Sequence, residues 1–128
     1  MPKKNLIIFS IISIVFFLDF VTKNYAITNL LLNHSEAINT YLNFTLAFNY
    51  GAAFSFLSDA GGWQRWFFVI FSIIVVFFIS YILIKDKESE YISYSLVLGG
   101  ALGNLYDRIF LGYVIDFIEF HYNDFYWP

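Results

Sequence analysis

Residues 99–117 read GGALGNLYDRIFLGYVIDF. The first half is small and apolar enough to lie in a bilayer. It then runs into Asn104, Asp107 and Arg108, with Asp116 nine positions after Asp107. Ionisable groups at membrane depth are expensive, so they default to a functional reading. Two carboxylates with an arginine between them, at the end of a greasy segment, point to chemistry at a membrane surface.

The rest of the chain supports a membrane setting. Of 128 residues, 59% are hydrophobic and 13% charged, against about 25% charged in a soluble domain. Aromatics make up 23% and the mean hydropathy is +0.65. A net charge of −3 with no basic patch argues against a nucleic-acid partner. The absence of cysteine excludes thiol nucleophiles, disulfides and thiolate metal sites. His34 and His121 are far apart and carry no ligand spacing, so no metal or other cofactor is expected.

Three segments read as transmembrane helices in a mainly α integral membrane protein, organised as a single domain over residues 1–128. The first covers about 5–27, uncharged from Asn5 to Leu18. Lys3 and Lys4 before an apolar run resemble a secretory signal, but no small-x-small cleavage site follows and the run continues into Asp19 and Lys23. The second covers about 65–84, with 19 uncharged residues from Trp66 to Ile84. At about 1.5 Å per residue this nearly covers a ~30 Å hydrocarbon core. The third covers about 91–110 and is uncharged from Tyr91 to Tyr106. That is marginal for a full span, as suits a helix whose end opens into a polar cavity.

Lysines orient these spans. Lys3, Lys4, Lys85 and Lys87 fall on one side if the spans alternate, and the positive-inside rule assigns that side to the cytoplasm. The segment 28–64 then lies outside, as does the C-terminus, with Trp63, Trp66 and Trp127 near the outer interface. Within 28–64, residues 39–48 are rich in Thr, Tyr and Phe and partly alternate, which predicts a strand in a small sheet on the membrane surface. Asn49 to Gly51 reads as a turn.

With this topology the unusual polar residues converge on one face. Asp19 and Lys23 are four apart and share a helix face, either as an interfacial ion pair or as support for a site. Asn104, Asp107 and Arg108 form one helical cluster, with Asp107 either structural or catalytic. Gly99 and Gly103 make a small-xxx-small pair that lets helices approach closely. Asp116 sits between Ile115 and Phe117, an apolar setting that raises a carboxyl pKa and suits an acid or base. An isolated aspartate in such a run also serves as a cap.

These blocks resemble lipoprotein signal peptidase (signal peptidase II). The resemblance lies in residues 99–108 and 112–117, in Asp19 to Lys23, in the loop from Asn49 to Leu57, and in the run from Gly61 to Phe68. It implies a monomeric aspartyl endopeptidase of the bacterial inner membrane, with its site at the periplasmic face. Its substrates would be prolipoproteins carrying a diacylglyceryl group on cysteine, cut just before that residue, with membrane lipid as the other partner. By resemblance Asp116 is a catalytic aspartate, and Asp107 and Arg108 support the site. Asn49, Gly51 and Asn104 line the substrate cleft, and Asp19 and Lys23 are the first-helix polar pair. The family carries its second catalytic aspartate in a Phe-Asn-x-Ala-Asp block beyond the equivalent of Pro128, followed by a fourth helix. Neither is present in these 128 residues, so the chain alone is expected to be inactive. The competing reading is a non-catalytic membrane fragment that keeps only binding or structural features. A serine peptidase using Ser55 or Ser58 with Lys23 is a third.

Overall fold

The computed structural model describes residues 2–51, 57, 59, 61–85 and 90–127. Ser55, Ser58 and Lys87, and most of the loop between Gly51 and Leu57, lie outside the described residues, as does the side chain of Trp127. Among the described residues, three helices and four strands follow in the order α1 (Pro2–Asn29), β1 (Ser35–Ala37), β2 (Leu42–Asn49), α2 (Gln64–Lys85), α3 (Tyr91–Phe110), β3 (Val114–Tyr122) and β4 (Phe125–Trp127). Two helices, α1 and α2, are long and apolar enough to cross a membrane. Leu6, Phe9, Phe17, Ile70, Phe77 and Phe78 stand exposed along them. Helices that are apolar all round belong in lipid or a large core, and no protein core covers these faces.

α3 is the central helix and packs against both α1 and α2. Its buried residues include Ser95, Gly99, Gly103 and Asp107, a ridge repeating every fourth position. Such ridges set the angle at which helices pack. The two glycines let α1 close in. A Cβ on Gly99 would stand 2.7 Å from Val15 Cβ, and one on Gly103 would run into the Asp19 carboxylate, with Cγ at 2.8 Å. Small residues therefore fix the α1–α3 distance, and that distance decides what the polar end of the ridge can reach.

The strands form one antiparallel sheet in the order β1-β2-β3-β4. The strand expected over 39–48 is β2, shifted to 42–49. Its partner β3 grows out of α3 and carries Asp116; no strand was expected there, and the reason is the apolar composition of both faces of residues 114–120. β2 and β3 pair from Leu42↔Phe120 to Asn49↔Val114, with an irregularity between Phe44 and Ala47. Bulges bend a strand and re-aim side chains beside functional sites. Here the bulge brings Ala47 opposite Asp116, so only a methyl group stands across from the carboxylate. The sheet is anchored to α1 through Ala26, Leu46 and Ile115. At its far end, buried Glu119 accepts hydrogen bonds from Asn43 at 3.0 Å and Ser35 at 3.2 Å. Burial of that carboxylate is tolerated because it is hydrogen-bonded.

Candidate active site

The site grows from the corner where α3 becomes β3. The helix ends as the N–H groups of Leu111 and Gly112 donate to the Asp107 carbonyl at 2.7 and 3.1 Å. Gly112 then takes φ +86°, a left-handed conformation that glycine adopts without the Cβ clash. One Asp107 carboxylate oxygen accepts from the Ile115 N–H at 3.2 Å, tying the first residues of β3 back to the helix they left. This aspartate thus braces the corner from both its backbone and its side chain.

The same carboxylate reaches α1. Lys23 Nζ lies 2.8 Å from Asp107 and 2.7 Å from Asp19, and it donates to Asn104 Oδ1 at 3.0 Å. Lys23 is 5% exposed and Asp107 4%. An ammonium has three donors, and all three have acceptors here. The Asp19–Lys23 pairing expected from their spacing is present, but as half of a larger bridge between α1 and α3. A lysine held by three acceptors in this way is not free to swing toward a serine, which weighs against the serine-peptidase reading. A cavity of about 220 Å³ opens on this network between the two helices.

Arg108 turns the other way, away from an internal pair with Asp107. It donates to Ser72 Oγ on α2 at 3.4 Å and to the Gly51 carbonyl at 3.3 Å, and its guanidinium stands 5.5 Å from the Phe68 ring. Neighbouring helix positions face about 100° apart, so Asp107 and Arg108 serve different partners. Gly51 is held by its own N–H, which donates to Asn49 Oδ1 at 2.9 Å. This is an Asx turn that brings the loop carbonyl to the arginine. Ser72, Asn104 and Arg108 line a second cavity of about 200 Å³ between α2 and α3.

Asp116 is half-buried on β3. Burial pushes its carboxyl above the usual range, opposed by a hydrogen bond with Asn49 and by the charges of Lys23 and Arg108. The upward shift wins, so this group holds a proton more readily than an ordinary aspartate. The eight site residues read from the sequence therefore form two linked groups. Asp19, Lys23, Asn104 and Asp107 lock α1 to α3; Asn49, Gly51 and Arg108 are linked to one another, and Asn49 hydrogen-bonds to Asp116. Ser72 and Arg65 were missed as contributors. A serine within an apolar span was the available sign of the first; Arg65 lies in the run from Gly61 to Phe68 that carries part of the resemblance.

The raised carboxyl has a measurable consequence. The folded chain binds this proton more tightly than the unfolded chain, so Asp116 detracts from stability as pH rises from the ordinary carboxylate range through its native titration. Asp116→Asn is predicted to raise the thermal midpoint in micelles at neutral pH. The gain should vanish below about pH 3.9, the ordinary aspartate value, where both states are protonated. Thermal unfolding followed by circular dichroism across that range checks it.

The family profile described as Signal peptidase (SPase) II matches residues 11–128. A lipoprotein signal peptidase of Dichelobacter nodosus (strain VCS1703A) is 51% identical over 123 residues, covering 94% of this chain and 79% of the relative. One from Teredinibacter turnerae (strain ATCC 39867 / T7901) is 51% identical over 119 residues, covering 90% and 70%. Among solved structures, a bacterial membrane enzyme determined by the in meso method at 2.3 Å resolution superposes with a TM-score of 0.79 at 34% identity, over all of this chain and 76% of the other. A second, at 1.9 Å resolution, gives 0.72 at 35% identity, over 94% and 75%.

Proposed function

The chain belongs to the signal peptidase (SPase) II family, and from that premise we propose that it removes signal peptides from prolipoproteins by carboxylate chemistry centred on Asp116. The observation that carries the proposal is Asp116 itself. It is a half-buried carboxyl with a raised pKa, on the strand that follows α3, hydrogen-bonded to Asn49 and acted on by the charge of Arg108.

Aspartyl hydrolysis needs two carboxylates that share one proton. The ionised one takes a proton from water as the water oxygen attacks the scissile carbonyl carbon. The protonated one gives its proton to the carbonyl oxygen. Collapse of the tetrahedral intermediate then breaks the C–N bond: the proton gained from water passes to the leaving amine, and a hydroxyl of the intermediate returns a proton to the other carboxylate, which restores the shared proton. An elevated pKa suits Asp116 to hold the shared proton. Its partner, by resemblance, is the aspartate of the Phe-Asn-x-Ala-Asp block beyond position 128. In this reading Asp107 and Arg108 support the site, Asp19 and Lys23 pair on the first helix, and Asn49, Gly51 and Asn104 line the cleft.

We place the chain in the bacterial inner membrane with α1, α2 and α3 spanning, and with the sheet and the site at the periplasmic face. Lys3, Lys4 and Lys85 at the opposite ends of the helices support this orientation. The substrate is a prolipoprotein bearing a diacylglyceryl-cysteine. Its acyl chains keep the cut site at the membrane surface, where Asp116 lies in this topology.

The test is cleavage of a synthetic prolipoprotein segment, with and without the diacylglyceryl group, followed by mass spectrometry. The chain continued through the missing block should release a product that begins at the lipidated cysteine and should leave the unlipidated segment intact. The 128-residue chain alone should release nothing. Equal cutting of both segments would remove lipid recognition from the proposal, and cutting by the 128-residue chain would remove the downstream partner.

A further inference from the structure

The corner that carries Asp116 is gripped from outside by α2. Arg65 stands in the first turn of that helix. Its Nε–H donates to the carbonyl of Arg108 at 3.1 Å and its Nη2–H to the carbonyl of Ile109 at 2.6 Å. Both carbonyls belong to the last turn of α3, where helix carbonyls have no partner within the helix. A cation there is also favoured by the helix dipole. The guanidinium is held over Trp66 at 5.2 Å. Gly112 lies against it, and a Cβ there would come 3.3 Å from Cζ. The fork therefore has two acceptors at the end of α3 and a ring beneath it.

The gripped residue matters as much as the grip. Arg108 is held by its backbone to Arg65, and its side chain reaches Ser72 and the Gly51 carbonyl. Its charge is one of those that act on Asp116. The other groups facing Asp116 are Asn49 from β2, Lys23 from α1 and Asp107 from α3. Lys23 and Asp107 are fixed by their own ion pair. Asp107 and Arg108 both sit in the last turn of α3, but the carbonyl that Arg65 holds is that of Arg108.

We propose that Arg65 is a positioning residue for the peptidase reaction, clamping the final carbonyls of α3 so that the Arg108 guanidinium keeps its contacts with Ser72 and the Gly51 carbonyl at the corner that carries Asp116. The proposal rests on the reading of Asp116 as the reacting carboxylate and names the device that sets its surroundings. A lysine cannot replace the clamp fully, because a single ammonium does not present the planar fork that spans two carbonyls.

The test is the titration of Asp116 in the 128-residue chain in micelles, read from ¹³C-labelled aspartate carboxyl carbons and assigned with Asp116→Asn. In Arg65→Ala the end of α3 loosens, Arg108 withdraws, and the Asp116 midpoint should climb above the wild-type value. In Arg65→Lys it should lie between the two. Loss of a neighbouring positive charge raises a carboxyl pKa, whereas exposure to water lowers a buried one. Loosening and unfolding thus move the signal in opposite directions. An unchanged midpoint overturns the proposal, since Arg65 then does not reach Asp116. A midpoint falling toward the ordinary carboxylate value also overturns it, since Arg65 then only holds the fold. Should Arg65→Ala not fold, Arg65→Lys decides by the same criteria. This titration needs no activity, so its failure is distinct from failure of the peptidase reading, which cleavage by Asp116→Asn would reveal.

Discussion

Asp116→Asn, made in the chain continued through the Phe-Asn-x-Ala-Asp block, is expected to lose cleavage of the lipidated precursor by about ten-thousand-fold or more, the scale seen when one member of a catalytic unit is removed. The amide is nearly the shape of the carboxylic acid and can still hydrogen-bond to Asn49. What it cannot do is exchange a proton with water or with a second carboxylate. The loss should fall on turnover rather than on substrate binding, because the lining groups Asn49, Gly51 and Asn104 remain. It should also come with no loss of stability at neutral pH, since burial already disfavours the charged form of Asp116. Cleavage rates at saturating and limiting substrate separate the two effects. A variant that binds poorly but turns over normally would place Asp116 in the cleft wall.

Lys23→Met is expected to give the largest loss of stability in the chain, about 3–5 kcal/mol. Its ammonium is nearly inaccessible and lies between Asp19 and Asp107 at 2.7 and 2.8 Å. Methionine fills the space but leaves two carboxylates without a cation in a setting where an unpaired charge is costly. The damage should spread. Asp107 also receives the Ile115 N–H, so the corner loosens, and Asp19 presses on the glycine face of α3. Adding Asp107→Asn to Lys23→Met should recover part of the loss. The amide oxygen can keep the Ile115 bond, and one stranded charge is removed. Thermal unfolding of both single variants and the double variant in micelles measures the coupling. Additive losses would mean that the buried bridge is no more than a surface-type pair.

Local patterns made the helices and part of the site legible in the sequence. Nineteen uncharged residues before Lys85 make a helix long and apolar enough to cross a membrane, and the four-residue spacing of Asp19 and Lys23 predicts their pairing. Gly99 and Gly103 announced a close helix contact without saying that Asp19 would lie against it. What stayed hidden depended on long-range assembly. Lys23 meets Asp107 across 84 positions of chain, and Arg65 meets the end of α3 across 43; no spacing rule connects such residues. β3 was concealed for a different reason. A strand half-exposed to water alternates in polarity, but residues 114–120 are apolar on both faces apart from Asp116 and Glu119. Those two residues look like breaks in an apolar run; Glu119 is held by Asn43 and Ser35, and Asp116 is the carboxylate to which the proposal assigns the chemistry.

The most direct measurement is a double-mutant comparison of cleavage rates on the lipidated precursor. It sets Asp116→Asn, the corresponding change in the downstream aspartate, and both together against the unaltered continued chain. If the two carboxylates share one proton, each single change should destroy the unit, and the double variant should be no slower than the worse single one. Losses that multiply, or substantial cleavage by Asp116→Asn alone, would contradict the assignment of Asp116 as half of the catalytic pair.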